Sequence, residues 1–193
     1  RRFLWEIASS PKNYYIESML LSREMWQKNL LNFFKIKNVL EKSALISLAK
    51  QSLEIEIAEL NHLKNRIGED FAKAVEIINN AVGKLIVVGI GKSAHVGNKI
   101  VATLNSTGTP AQFLHAAEAI HGDLGVIQKQ DVVLCISNSG NSPEIVNLVP
   151  FLKDYSSALI GMTGNLNSKL AEFSDVVLNT FVEKEACPNK LAP

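Results

Sequence analysis

The 193-residue sequence predicts an α/β fold in which a five-stranded parallel sheet is doubly wound and flanked by helices. From residue 84 onward, five short and almost wholly apolar runs alternate with segments of helical periodicity. Such runs are typical of parallel strands that are covered on both faces. Additional helices are expected ahead of the first strand, because the N-terminal part lacks this alternation.

The first 37 residues are rich in aromatic and basic side chains. They hold seven basic and three acidic residues. Met19, Trp26 and Leu30 fall on one stripe and predict a helix over residues 14–36. We interpret residues 1–37 as a helical extension of unknown role.

The main domain is expected to cover residues 38–193. Apolar residues at spacings of three and four predict a helix over residues 38–67, with Gly68 as its stop. A second helix, from residue 71 to residue 82, is expected to end at Gly83.

The alternating region gives the strands and helices of the sheet. The predicted strands are 84–90, 111–115, 131–136, 158–162 and 175–179. The predicted helices between them are 93–107, 143–154 and 167–173. The segment 116–122 is too short to predict a helix from its pattern alone.

Composition argues against several functional classes. The net charge is +1, which gives no reason to expect nucleic acid or an anionic membrane as a partner. No apolar run approaches the roughly 20 residues of a membrane span. Cys135 and Cys187 are the only cysteines. Because Cys135 lies inside an apolar strand, we expect a buried thiol there and a reducing, cytoplasmic location.

In an open α/β sheet the ligand crevice lies beyond the carboxyl ends of the strands, so the loop 137–142 is the first candidate site. Ser142, Pro143 and Glu144 have the order typical of a helix start: N-cap, first position and first turn. The hydroxyl and amide groups of this loop belong to Ser137, Asn138, Ser139 and Ser142. Together with the helix N-terminus they predict a cradle for a phosphate or another small anion. A capped turn with hydroxyls facing water is an equally weighted alternative.

A second candidate loop follows the first strand. Gly91, Lys92 and Ser93 lie in it, and we expect Lys92 to contact a substrate oxygen or phosphate, with a solvated lysine as the alternative. A Walker A site is not expected, because Ile86 stands where its first glycine is needed. A dinucleotide fingerprint is matched only loosely, since no acidic residue follows about 20 positions later.

The third loop, 115–123, holds two histidines and two carboxylates. We expect one of the histidines, His115 or His121, to act in catalysis, although a lone histidine is more often structural. No metal site is predicted, because the spacing of the histidines matches no common ligand pattern. From physical chemistry alone, Glu185 near the C-terminus belongs to a charged surface run.

The motifs together resemble the sugar isomerase (SIS) domain, and more narrowly the D-arabinose-5-phosphate isomerases. The resemblance covers residues of about 40 to 193 and rests on GIGKSAHVGNKIVATLNSTGTP, HAAEAIHGDLG, SNSGNSPEI, MTGNLNSKLA and KEACPNKLAP. It implies a flavodoxin-like, three-layer sandwich. It also implies interconversion of D-ribulose 5-phosphate and D-arabinose 5-phosphate through an enediol, without a cofactor, for the Kdo sugar of lipopolysaccharide.

The same resemblance implies roles for particular residues. Lys92, His121, Glu144 and Glu185 would be catalytic, with Glu144 or Glu185 as the proton carrier. Ser137, Ser139 and Ser142 would hold the phosphate, and the site would lie between subunits of a homo-oligomer, usually a tetramer.

Some features depart from the family pattern or leave other readings open. Ala94 replaces a usual glycine. The pattern of the family continues beyond Pro193 with a His-Pro-Gly-Gly stretch, so the SIS domain is interpreted as truncated at its C-terminal end relative to the family. The alternatives are a non-catalytic, sugar-phosphate-binding regulator, which would carry a helix-turn-helix domain in front, and a dinucleotide-binding enzyme.

Overall fold

The computed structural model describes residues 42–187. The chain divides into two compact units, residues 1–53 and 54–193. In the first unit the described residues, 42–53, are the start of a long helix that continues into the second. The predicted helix over 14–36, and the extension 1–37 that contains it, lie outside the described residues.

Six α-helices, one short 3₁₀ helix and five strands are present among the described residues. The α-helices are α1 (Lys42–Arg66), α2 (Glu69–Asn79), α3 (Lys92–Ser106), α4 (Ala116–Ile120), α5 (Pro143–Tyr155) and α6 (Lys169–Phe173), and the 3₁₀ helix is Asp123–Val126. The strands are β1 (Leu85–Gly89), β2 (Ala111–His115), β3 (Val132–Ile136), β4 (Ala158–Thr163) and β5 (Val176–Asn179).

All five strands are parallel, in the order β2-β1-β3-β4-β5. The predicted fold class is therefore confirmed. The central strands β1 and β3 are buried along their whole length, whereas β2 and β5 are only partly buried. The expectation that every strand is covered on both faces is wrong for these two, because each lies at an edge of the sheet.

Two apolar layers sandwich the sheet. One packs Leu148 and Leu152 of α5 against Val133 of β3, and it also includes Leu170 of α6. The other packs α2 and α3 against the opposite face and includes Val87 of β1. Cys135, as predicted, is a fully buried thiol, and burial raises its pKa to about 12.

The apolar stripe on α1 is not buried by the described residues. Leu45, Ile46, Leu53, Ile57 and Leu60 each have half or more of their surface exposed. The sequence predicts the periodicity of this helix correctly, but its apolar side has no described cover. Among residues 42–187, no helix combines the length and the hydropathy needed to cross a bilayer.

Candidate functional site

The candidate loops meet because the strands end in register. Gly89 at the end of β1 pairs with His115 on one side and with Ile136 on the other. Ile136 pairs in turn with Met162 of β4. Neighbouring parallel strands lie about 4.8 Å apart. The loops that follow β1, β2, β3 and β4 therefore leave the sheet side by side, along the edge that is formed by the carboxyl ends of the strands.

The chain diverges at this edge between β1 and β3. From β1 it turns into α3, which packs on one face, and from β3 it turns into α5, which packs on the other. Such a topological switch point opens a crevice beyond the strand ends, and ligands of open α/β sheets bind there. The loop 137–142 and the loop that contains Lys92 border this crevice.

The loop 137–142 is held from behind by the segment 163–169. The backbone carbonyl of Asn138 accepts hydrogen bonds from Thr163 Oγ1, at 3.1 Å, and from the N–H of Gly164, at 2.9 Å. Asn141 Oδ1 accepts from the N–H of Lys169 at 2.9 Å. The sequence did not predict these hydrogen bonds, although the donors lie in MTGNLNSKLA, one of the stretches on which the family resemblance rests.

Gly140 is the tightest point of this support. Its φ is +62°, a conformation that side chains rarely adopt. Its carbonyl accepts a hydrogen bond from the N–H of Leu170 at 3.1 Å, and its N–H donates to the carbonyl of Ser137 at 3.1 Å. The turn is thereby fixed before any ligand arrives.

Helix α5 starts as the sequence predicts, with Ser142 at the N-cap, Pro143 at the first position and Glu144 in the first turn. The Ser142 side chain, however, makes no capping hydrogen bond. Its Oγ is buried and has no hydrogen-bond partner within the described residues. The Ser142 carbonyl accepts the first hydrogen bonds of the helix, from the N–H groups of Ile145 and Val146.

The number of unsatisfied donors at this helix start is smaller than the four of an uncapped helix N-terminus. Pro143 has no N–H, and the N–H of Ile145 is already bonded. The N–H groups of Ser139, Ser142 and Glu144 form no hydrogen bond within residues 42–187. These donors and the Ser142 hydroxyl surround the positive end of a 13-residue helix, which is the chemistry that binds a phosphate.

The loop after β1 supplies a cation. Gly91 is the N-cap of α3, with φ +57°, and Lys92 is the first residue of that helix. Lys92 is exposed and Ser93 is partly buried. Gly91 and Lys92 thus stand at the switch-point edge, where an anionic substrate would meet the lysine.

The two histidines of the third loop differ in their surroundings. His115 ends β2 and uses Nδ1 to accept a hydrogen bond from the N–H of Ala117, at 3.3 Å, which caps α4. This contact gives His115 a structural task. His121 follows α4 and is exposed, so it is the histidine that remains accessible.

No metal centre is formed by the described part of the chain, because no three His, Cys, Asp or Glu side chains there lie close enough together to hold an ion.

Glu185 lies in the segment that follows β5. It lines a cavity of about 440 Å³ between the second half of α1 and the segment 180–187, which we call the tail segment. Most of the lining is apolar, and it includes Leu63 and Phe181. Of the sequence-predicted site residues in the described chain, only Glu185 lines this cavity.

Comparison with known proteins assigns the family. The SIS domain matches residues 77–193, which is more than half of the chain. The chain belongs to the SIS domain family. The matched residues include the Ser-rich loop and α5.

Two curated relatives of this SIS domain are named arabinose 5-phosphate isomerases. Arabinose 5-phosphate isomerase GutQ of Salmonella typhimurium is 52% identical over 150 residues, which are 78% of this chain and 47% of the relative. Arabinose 5-phosphate isomerase KdsD of Pseudomonas aeruginosa is 49% identical over 156 residues, 81% of this chain and 48% of the relative. The chain spans about half the length of the curated relatives that it matches.

Solved structures agree with the fold. An Escherichia coli CFT073 protein in complex with arabinose 5-phosphate aligns with a TM-score of 0.75 and 37% identity, over 80% of this chain and 82% of that one. A Listeria monocytogenes protein aligns with a TM-score of 0.74 and 37% identity, over 79% of this chain and 81% of that one.

Proposed function

We propose that this SIS domain binds and isomerises a pentose phosphate, interconverting D-ribulose 5-phosphate and D-arabinose 5-phosphate. Relatives about 50% identical are named arabinose 5-phosphate isomerases, and a solved structure similar to this one contains arabinose 5-phosphate. D-Arabinose 5-phosphate would serve as the precursor of the Kdo sugar. One feature of this chain carries the proposal: the unpartnered Ser142 hydroxyl among unbonded N–H groups at the start of α5.

The phosphate would be held by Ser137, Asn138, Ser139 and Ser142, with Gly91 and Ser93 on the opposite side of the crevice. Ser142 contributes most in this arrangement, because its hydroxyl has no competing partner in the described chain. Ser137 and Ser139 already accept hydrogen bonds from the N–H groups of Gly140 and Asn141. Their hydroxyl protons are therefore the part that points to a ligand oxygen.

The chemistry requires movement of one proton between two carbons. A carboxylate removes the C2 proton of the aldose while O1 gains a proton, which gives the enediol. O2 then loses its proton, and C1 receives the proton from the carboxylate to form the ketose. Glu144 lies two residues after Ser142, and the family resemblance implies a catalytic role for Glu185 as well. We therefore assign the carboxylate role to Glu144 or to Glu185. Lys92 stabilises the developing oxyanion, and His121 opens the sugar ring or protonates oxygen.

The first test replaces Ser142 by alanine in the full-length protein. Because the hydroxyl makes no hydrogen bond in the described chain, the free energy of unfolding stays within about 0.5 kcal/mol of wild type. Loss of a hydrogen bond to a charged phosphate costs about 1.5 kcal/mol or more, so KM for D-arabinose 5-phosphate rises about tenfold. Ser106→Ala, on the exposed side of α3, is the control and leaves KM unchanged. A Ser142→Ala protein that is less stable but has an unchanged KM would leave this serine with a structural role only.

The second test separates the two carboxylates. We expect Glu144→Gln to lower kcat by about 10²-fold or more, as for the loss of a general base. Glu185→Gln is assayed beside it, and the larger loss identifies the proton carrier. Unchanged turnover in Glu144→Gln removes that residue from the mechanism, and binding of D-arabinose 5-phosphate without any turnover by wild type refutes the isomerase.

We also propose that the protein works as a homo-oligomer, a tetramer, with sites shared between subunits. The support is the exposed apolar stripe of α1, on which Ile57 is 51% and Leu60 is 63% exposed. A second copy that covers this stripe would remove it from water. Sedimentation equilibrium of wild type and Ile46→Asp tests the point, and a wild-type monomer contradicts it.

A further inference from the structure

The second half of α1 is hydrogen-bonded to the backbone of the tail segment. Glu59 accepts a hydrogen bond from the N–H of Glu183 on Oε2, at 3.0 Å, and from the N–H of Lys184 on Oε1, at 3.1 Å. Further along the helix, Arg66 donates to the carbonyl of Phe181. The two residues of each Glu59 pair are 124 and 125 positions apart, so no local pattern announces these contacts.

The hydrogen bonds of Glu59 are strong because their acceptor is charged. Both carboxylate oxygens are used, and hydrogen bonds to an ionised acceptor are about twice as strong as neutral ones. Burial raises the pKa of Glu59, but the N–H groups of Glu183 and Lys184 and the nearby His62 outweigh it and bring the pKa below its usual value. The side chain is only 11% exposed. Glu59 is thus an ionised acceptor across the neutral pH range.

Between Phe181 and Glu185, few other hydrogen bonds hold the tail segment. Its start is fixed to the sheet, because the N–H of Thr180 donates to the carbonyl of Thr163 and the N–H of Phe181 donates to Asn179 Oδ1. Beyond that point the described chain has no regular secondary structure. The hydrogen bonds described for the backbone of Glu183 and Lys184 both end at Glu59. The direction of the next residue, Glu185, therefore depends on this carboxylate.

We propose that Glu59 is a positioning residue that fixes the tail segment so that Glu185 is presented for catalysis. This inference rests on the role proposed above for Glu185. Glu59 itself touches no substrate. It sets the path of two consecutive peptide groups, and Glu185 follows directly from them, beside the apolar wall formed by Leu60 and Leu63.

The decisive variant is Glu59→Ala in the full-length protein, with Glu56→Ala as the matched control. Glu56 lies one turn earlier on α1 and lines the same cavity, but it accepts no hydrogen bond from the described tail segment. Because misplacement of a catalytic group by about 1 Å costs up to about 10²-fold, we expect Glu59→Ala to lower kcat by roughly this factor. KM for D-arabinose 5-phosphate changes little, since the phosphate loop is untouched. Glu59→Gln keeps one acceptor oxygen and gives an intermediate kcat.

Hydrogen exchange supplies a readout that is independent of activity. In Glu59→Ala the amides of Glu183 and Lys184 exchange faster than in wild type, whereas in Glu56→Ala they do not. Faster exchange with unchanged kcat overturns the inference, and so does unchanged exchange of these two amides. Glu185→Ala distinguishes the two levels of the argument. If it lowers kcat and Glu59→Ala does not, only the positioning role fails; if neither variant matters, the role proposed for Glu185 fails as well.

Discussion

Replacement of Gly140 by alanine tests whether the Ser-rich loop is held rigidly from behind. A Cβ at this position would lie 2.2 Å from Ser168 Oγ, 2.5 Å from Ser168 Cβ and 3.0 Å from Thr163 Oγ1. Neither neighbour has room to move, because Ser168 is 2% exposed and Thr163 is fully buried. Ser168 is further fixed as the cap of α6, where its Oγ accepts from the N–H of Ala171.

Two costs add up in Gly140→Ala. The positive φ of +62° costs an alanine about 1–2 kcal/mol, and overpacking against Ser168 adds about 1–3 kcal/mol. The expected loss in the free energy of unfolding is therefore about 2–5 kcal/mol. Gly108→Ala is the control, because Gly108 has a φ of +93° but a Cβ there meets nothing within 4 Å. It should lose only the strain of about 1–2 kcal/mol.

Urea unfolding at about 25 °C measures the difference between these variants, and KM for D-arabinose 5-phosphate reports on the loop. We expect Gly140→Ala to unfold at lower urea than Gly108→Ala and to show a raised KM. Ser168→Gly added to Gly140→Ala removes both close atoms, so the pair should be less destabilised than the sum of the single changes. Equal unfolding midpoints for Gly140→Ala and Gly108→Ala would refute the reasoning.

Three further predictions concern the Thr163 hydroxyl, the pair between Asp131 and Lys84, and the buried thiol of Cys135. Thr163→Val removes the hydroxyl that donates to the Asn138 carbonyl and should cost about 1–2 kcal/mol, which Thr163→Ser restores. Asp131→Asn breaks a buried pair with Lys84, at 2.9 Å, and should cost about 3 kcal/mol at neutral pH. Burial raises the pKa of Asp131, but the hydrogen bonds from Gln128 and Lys84 outweigh this effect and hold the pKa below its ordinary value. The stabilisation by the Asp131 carboxylate is therefore present above pH 3.8 and is lost as the pH falls below that value. An acid titration of stability should therefore be flatter in Asp131→Asn. Cys135 should react with a thiol reagent at mildly alkaline pH only after unfolding, since its pKa is about 12; rapid labelling of Cys135 in the native protein contradicts this.

The central strands were predictable because burial on both faces leaves a continuous apolar run in the sequence. Their ends were less so. The apolar pattern assigns residue 84 to the first strand, but the N–H of Lys84 donates to the Asp131 carboxylate instead of to a neighbouring strand. It likewise assigns residue 131 to the third strand, which begins at Val132. At this end of the sheet a carboxylate takes the N–H of Lys84, while the Lys84 carbonyl still accepts from the N–H of Val132, and no apolar pattern records such an exchange.

At the candidate site the sequence predicts the start of a helix, but it does not predict the hydrogen bonds around that start. The Ser-Pro-Glu order correctly predicts the start of α5. It does not indicate whether the Ser142 hydroxyl bonds its own helix or stays available. The sequence does not predict the hydrogen bonds of Glu59, because its partners lie 124 and 125 residues away. In α1 the sequence pattern predicts an apolar stripe, but it carries no information on what covers that stripe.

The contact between Glu59 and the tail segment has a consequence for synthesis of the protein on the ribosome. Glu59 is translated 124 residues before Glu183. At about 5–20 residues per second, its first partner follows roughly 6–25 s later. Throughout this interval Glu59 lacks its two backbone donors, so these contacts cannot form until the end of the domain has been synthesised.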